Sequence, residues 1–211
     1  QVSAGETGFD EEVLEKVQGA ASVRVAVAVI EAVVDTNIPG EGNMLVLGVD
    51  MTGDRSLRDY DLESGDEAVV DDPLVFLAQP DSLIITKAFA DKNRLEVGHR
   101  LSLNTAEGEK QFTIRGVMRS SGLTSAFGGN LAIMDVYAAQ RMFGRGRKFD
   151  RVDLAVAPGR TIAQSQAELR PLLGPGFQVE PPSGRGQQFE QMLAAYSIMV
   201  SVSSVFALFI G

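Results

Sequence analysis

Thirteen consecutive residues, Val23 to Asp35 (VRVAVAVIEAVVD), leave the chain little choice of conformation. Val23, Val25, Val27 and Val29 alternate with Arg24, Ala26, Ala28 and Ile30, and β-branched side chains are stiff in helices but pack well on a pleated surface. A long strand follows, and the fold must therefore contain a sheet. The turn-rich stretch TNIPGEGN separates it from a second apolar strand, Met44 to Val49.

Before that strand, Thr7 and Asp10 have the spacing of a capping box ahead of Phe9, Val13, Leu14 and Val17, which predicts a helix over about Phe9 to Gln18, stopped by Gly19. Asp54 to Pro80 is acidic, turns at Ser64-Gly65-Asp66, and reads as loop with one helical turn at most. Leu83 to Ile85 is a short strand, Thr86 caps a helix to about Arg94, and Val97-Gly98-His99 turns the chain into the strand Leu101 to Thr105. The tetrad AEGE makes a hairpin into Gln111 to Met118. After the Gly/Ser-rich SSGLTSAFGG come the strand Leu131 to Met134 and a helix capped by Asp135 and ended at Phe143-Gly144. Val152 to Val156 is a strand. Thr161 opens a helix with Ile162, Leu169 and Leu172 inward, stopped by Gly174-Pro175-Gly176, and Phe177 to Val179 is the last strand.

The outer parts thus run α-β-β and β-α-β around a mixed insertion, which predicts a two-lobed α+β chain. Residues 1–53 and 149–182 would form one discontinuous lobe and residues 54–148 the other, with Val23–Asp35, Met44–Val49 and Val152–Val156 in one sheet.

The last 21 residues, Gln191 to Gly211, carry no Lys, Arg, Asp or Glu. As a helix they would measure about 31 Å, close to the hydrocarbon thickness of a bilayer. Met192, Ile198, Val202, Phe206 and Phe209 point all round such a helix rather than to one face, and length and lack of charge favour the start of a membrane span, over residues 187–211, against a buried core helix. The first residue is Gln, and no charged n-region precedes an apolar h-region, so both ends are expected to be cut from a longer protein.

Composition narrows the function. The formal net charge is −9, which opposes binding to a phosphate backbone, and Arg145, Arg147 and Lys148 in GRGRKFD are too short a basic run to reverse it. No cysteine is present, so disulfides, thiol chemistry and Cys-based metal sites are excluded. His99 is the only histidine and reads as a solvated turn residue. Asp59, Asp61 and Glu63 have the alternate spacing of the first ligands of a calcium loop, but the glycine is one place late at Gly65 and Val70 stands where the bidentate Glu is needed. Asp71-Asp72 is read as a solvated turn rather than an acid/base pair. Phosphate-loop, nucleophile-elbow and dinucleotide motifs are absent. Leu123 and Phe127 in the Gly/Ser-rich loop either fold onto the core or form a partner contact.

The segments LIITKAFADKNRLEVGHRLSLNTAEGEKQFTIRGVM, NLAIMDVYAAQRMFG and FDRVDLAVAPG resemble, in order and spacing, the MacB-like periplasmic core domain of FtsX-type ABC transporter permeases. His99 stands where the family commonly has an acid, and Asp66 of LRDYDLESGD where it frequently has Arg. The resemblance implies a porter-like split α/β lobe and an inserted β-rich lobe, lying between two transmembrane helices, of which Gln191–Gly211 begins the second. It also implies a non-enzymatic role without cofactors in the cytoplasmic (inner) membrane, with this domain outside the cytoplasm. The domain would couple ATP hydrolysis by a separate cytoplasmic ATPase to export or mechanical signalling. Its expected partners are that ATPase, a second permease as homodimer or heterodimer, and a periplasmic adaptor; nucleic acid is not among them. The residues alone leave two alternatives open: a solute- or peptide-binding module of an anchored surface protein, and a hydrolase built on an unusual carboxylate pair.

Overall fold

The computed structural model describes residues 1–5, 7–50, 70, 72–118 and 130–181. Among them the chain runs β1 (Val2–Ser3), β2 (Phe9–Asp10), α1 (Glu12–Gln18), β3 (Val23–Asp35), β4 (Asn43–Val49), α2 (Pro73–Ala78), β5 (Ser82–Thr86), α3 (Lys87–Asn93), β6 (Arg100–Thr105), β7 (Gly108–Met118), β8 (Leu131–Asp135), α4 (Val136–Met142), β9 (Lys148–Phe149), β10 (Arg151–Val156), α5 (Ile162–Leu173) and β11 (Gln178–Val179). Most of the loop expected at Asp54–Pro80, the loop after Arg119 and the segment 182–211 lie outside the described residues.

Nine strands form one mixed sheet in the order β11-β1-β10-β3-β4-β8-β5-β7-β6, and β2 pairs with β9 in a separate two-stranded ladder. The expected sharing of a sheet by the long strand, its successor and Val152–Val156 is seen directly, since β3 lies between β10 and β4. The strands of the insertion, however, continue that same sheet: β8 adds to β4 in parallel, β5 to β8, β7 to β5 and β6 to β7. A bridge from Asp35 to Asn104 brings the far edge strand β6 back to the end of β3. Strand pairing therefore does not set the insertion apart as a second body. The reason is that β4 still has a free edge after pairing with β3, and an unpaired edge is satisfied by the next available strand.

The long strand buries its alanine side. Ala26, Ala28, Ile30, Ala32 and Val34 are buried, while Val23, Val25 and Val27 are only half covered and Val33 is 69% exposed. Alternation alone does not choose between the two faces. The helices choose: α1 packs on β3, α4 packs on β4 and β3, and small residues let a helix axis approach closely. The main core on this side gathers Leu83, Ile85, Phe89, Leu101, Leu103, Phe112 and Ile114 with Met44, Val46 and Met134. A smaller cluster on the opposite side joins Val29, Val49, Ile84, Met118 and Leu131 under Phe76 of α2.

Helix ends follow the capping rules, with one exception. Thr86 accepts from the Phe89 amide, Asp135 from the Tyr137 and Ala138 amides, and Thr161 and Gln164 form a reciprocal capping box. The capping box expected at Thr7 and Asp10 is not used: α1 begins at Glu12, and its N-cap Glu11 makes no side-chain cap bond. Phe9 and Asp10 are instead held extended by pairing with Phe149 and Lys148, which buries Phe9 against the edge of the Phe177 ring at 5.8 Å. In α5 Leu169 is buried as expected, but Ile162 and Leu172 are about half exposed, so only part of the inferred inward face is inward.

Helix α5 is also tied to the start of β3 by Glu168, whose carboxylate accepts from the Ala21 amide at 2.8 Å and the Ser22 amide at 3.1 Å. Hydrogen bonding from Ser22, opposed by burial and aided by the Ala21 amide and Arg160, holds this carboxyl below its ordinary range. A lowered folded-state pKa means that the bond stabilises the fold above the ordinary glutamate value and that the contribution is lost as pH falls through the lowered one. Melting curves of the parent and Glu168→Gln should differ most at neutral pH and converge in acid. Curves whose separation does not shrink as pH falls below the ordinary glutamate value would contradict the assignment.

Candidate functional site

The polar side chains that the fold brings together lie where the chain returns from the insertion to β10. Gln140, on the inner face of α4, is buried and donates from Nε2 to Glu11 Oε1 at 3.0 Å and to the Lys148 carbonyl at 3.2 Å. Glu11 also receives Arg147, from Nε at 3.0 Å and from Nη2 at 2.9 Å. Three residues after Arg147, Asp150 Oδ2 accepts from the Glu31 amide at 2.8 Å and lies 3.5 Å from Arg145 Nη2, which donates to the Glu31 carbonyl at 3.1 Å. Arg151 bridges the Glu31 and Asp153 carboxylates.

The electrostatics of this cluster are self-contained. The hydrogen bond and charge of Glu11 raise the Arg147 pKa above its ordinary value. Burial alone would lower that of Arg151, but Asp153 and Glu31 outweigh it and the net direction is upward. Within GRGRKFD, Arg145 is matched by Asp150 and Arg147 by Glu11, which offsets two of its three positive charges. Burial, then Asp50, Glu11 and Asp135, raises the phenol of nearby Tyr137, which keeps it a neutral hydroxyl.

The remaining sequence candidates are dispersed or lie outside the described residues. His99 sits in its turn, exposed, its Nδ1 accepting from the Glu96 amide at 3.2 Å. Asp72 is an N-cap, accepting from Leu74 and Val75 of α2, so it serves the helix rather than an acid/base pair. Asp59, Asp61, Glu63, Asp71, Leu123, Phe127, Met192, Ile198, Val202, Phe206 and Phe209 lie outside the described residues. Among the described residues no group of three or more His, Asp or Glu could hold a metal ion, and no helix is long and apolar enough to cross a membrane.

Two features escaped sequence reasoning. The first is Gln140, whose signal was a lone amide in phase with the apolar Val136 and Ala139 of a short helix. The second is an apolar strip on the outward side of the sheet, where Val33, opposite Leu45 on β4, leads to Leu47 and its partner Ile133, with Leu77 of α2 in the same cluster; elsewhere on α2, Leu74 and Val75 are 79% and 36% exposed. Its signal was Val33 occupying the same phase as Glu31 and Asp35. An open groove of about 220 Å³, lined by Gln18, Val23, Arg24, Val25 and Ala26, is smaller than the roughly 300–1,000 Å³ of small-molecule sites.

An uncharacterised ABC transporter permease protein of Mycobacterium tuberculosis is 23% identical over 137 residues, which cover 64% of this chain and 16% of that protein, so the chain spans a small part of its relative. The extracellular domain of the noncanonic ABC-type transporter YknZ from Gram-positive bacteria superposes with a TM-score of 0.60 at 18% identity, over 84% of this chain and 92% of that one. The periplasmic region of MacB from Actinobacillus actinomycetemcomitans superposes with a TM-score of 0.56 at 7% identity, over 90% and 91%. At such identities these two likenesses speak for the fold. The family model of the MacB-like periplasmic core domain matches residues 1–172, and the chain accordingly belongs to that family.

Proposed function

We propose that this chain is the extracytoplasmic domain of an ABC transporter permease and that it works by moving, not by chemistry. The observation that carries the reading is the family match across residues 1–172. In this reading a separate cytoplasmic ATPase supplies the energy, the uncharged stretch Gln191–Gly211 enters the cytoplasmic membrane, and the permease pairs with a second permease. The outer segments 1–53 and 149–182 and the insertion 54–148 act as two lobes of one transmitting element, which delivers the motion to a partner outside, such as a periplasmic adaptor, for export or signalling. Support comes from the described residues, where the polar cluster around Gln140 and Glu31 is spent on internal pairing and Val33 and Leu74 are exposed apolar side chains.

Val33 gives a test, because it is exposed and the chain contains no cysteine. In the full-length permease expressed with its ATPase, Val33→Cys should react with a membrane-impermeant maleimide in intact cells, as read by peptide mass spectrometry. In membrane vesicles exposing this face, its labelling rate should change severalfold between nucleotide-free and vanadate-trapped states, a shift of the size expected for allosteric coupling. Labelling only after permeabilisation would overturn the location, and equal rates in the two states would overturn the coupling.

A further inference from the structure

The cluster at the return from the insertion has a geometry that ion pairing alone does not explain. On its β10 edge, β3 is paired from Val23 to Val29, and the next strand contact there is the Asp35–Asn104 bridge. Between them, Ile30 to Val34 has no partner strand on that edge among the described residues. Glu31 sits in this gap, and both of its main-chain groups are taken by side chains: the amide donates to Asp150 and the carbonyl accepts from Arg145. Arg145 and Asp150 also face each other at 3.5 Å, and the Asp150 amide donates to the Val29 carbonyl at 3.0 Å. Two side chains thus stand in for the missing strand along the C-terminal part of a strand that is about 43 Å long.

We infer that Arg145 and Asp150 form a clamp on Glu31 that stops β3 from bending where it passes from its β10 partner to its β6 contact, so that the two ends of the sheet move as one piece. The position supports this. A bend in a 13-residue strand costs least where one edge lacks a neighbour, and the clamp fills that point with charge-assisted hydrogen bonds, which are roughly twice as strong as neutral ones. Arg147 and Gln140, both held by Glu11, fix the segment that carries Arg145 and Asp150 to the start of α1. The role of the clamp in making the domain a stiff lever rests on the coupling function proposed above; its effect on β3 does not.

The test uses the full 211-residue chain. Ala88→Cys on α3 and Ala167→Cys on α5 are exposed positions near opposite ends of the sheet, and the absence of native cysteine makes their spin labels unique. The parent should give a narrow distance distribution. With Arg145→Ala plus Asp150→Ala, the distribution should broaden, and the Glu31 amide should exchange with solvent about tenfold faster or more, as expected on losing a charge-assisted hydrogen bond. Amides of β7 should not change. An unaltered distance distribution would overturn the clamp, even with faster exchange at Glu31. If the double variant raises exchange uniformly, the milder Asp150→Asn decides, and a uniform rise there also overturns it. Neither readout involves an ATPase, so failure of the labelling experiment on Val33 would remove the lever role and leave the clamp standing.

Discussion

Phe112→Ala is expected to destabilise the domain by about 3–5 kcal/mol, a large share of the roughly 5–15 kcal/mol that holds a domain of this kind together. Phe112 is fully buried on β7, opposite Leu101 of β6, and its ring stacks on Phe143 at a centroid distance of 6.1 Å. It belongs to the cluster that includes Leu83, Ile85, Phe89, Leu103 and Ile114. Truncation removes the transfer energy of the ring and leaves a cavity that neighbours on strands can fill only in part, because each is held in register by its ladder. Phe112→Leu retains more of the volume and should cost less. Urea titration should show a lower midpoint with an unchanged slope, and a loss under about 1 kcal/mol would mean that Phe112 does not anchor the insertion strands.

Gly48 presents the opposite case, where adding atoms does the damage. A Cβ built there would lie 2.4 Å from the Ala139 Cβ and 3.3 Å from the Ile30 Cβ, so α4 rests directly on the backbone of β4. Gly48→Ala should cost about 1–3 kcal/mol through overpacking, and Gly48→Val more, because α4 would have to lift off the sheet. The pair Gly48→Ala with Ala139→Gly separates steric from other causes. It removes the 2.4 Å contact, so the double variant should recover stability beyond additivity, less about 1 kcal/mol for glycine in a helix. Additive losses measured by denaturation would show that the close approach at Gly48 is not the reason for its effect.

Local order was legible in the sequence because its causes are local. Alternation in Val23–Asp35 became β3 with the same bounds, Thr86 and Asp135 became N-caps, and the turn at AEGE became the β6–β7 hairpin. Thr7 and Asp10 show where local signals lose: a capping pattern worth about 1 kcal/mol gave way to strand pairing that buries Phe9. The family likeness was legible too, because the order of several short motifs survives where each alone would not decide.

What the sequence determined by itself was the set of strands and helices, the chemistry the chain lacks, and the family to which it belongs. Only the tertiary structure decided that the alanine side of β3 faces the helices and that β8 extends the sheet from β4, because the first depends on how α1 and the distant α4 dock and the second on a strand more than 80 residues away. The same holds for the polar cluster. Glu31 and Asp150 are 119 residues apart, and Gln140 and Glu11 are 129 apart. No periodicity within a window of a few residues can report such pairs, since what brings them together is the hydrogen-bonding requirement of a strand edge and a buried amide, met only once the chain has folded back on itself.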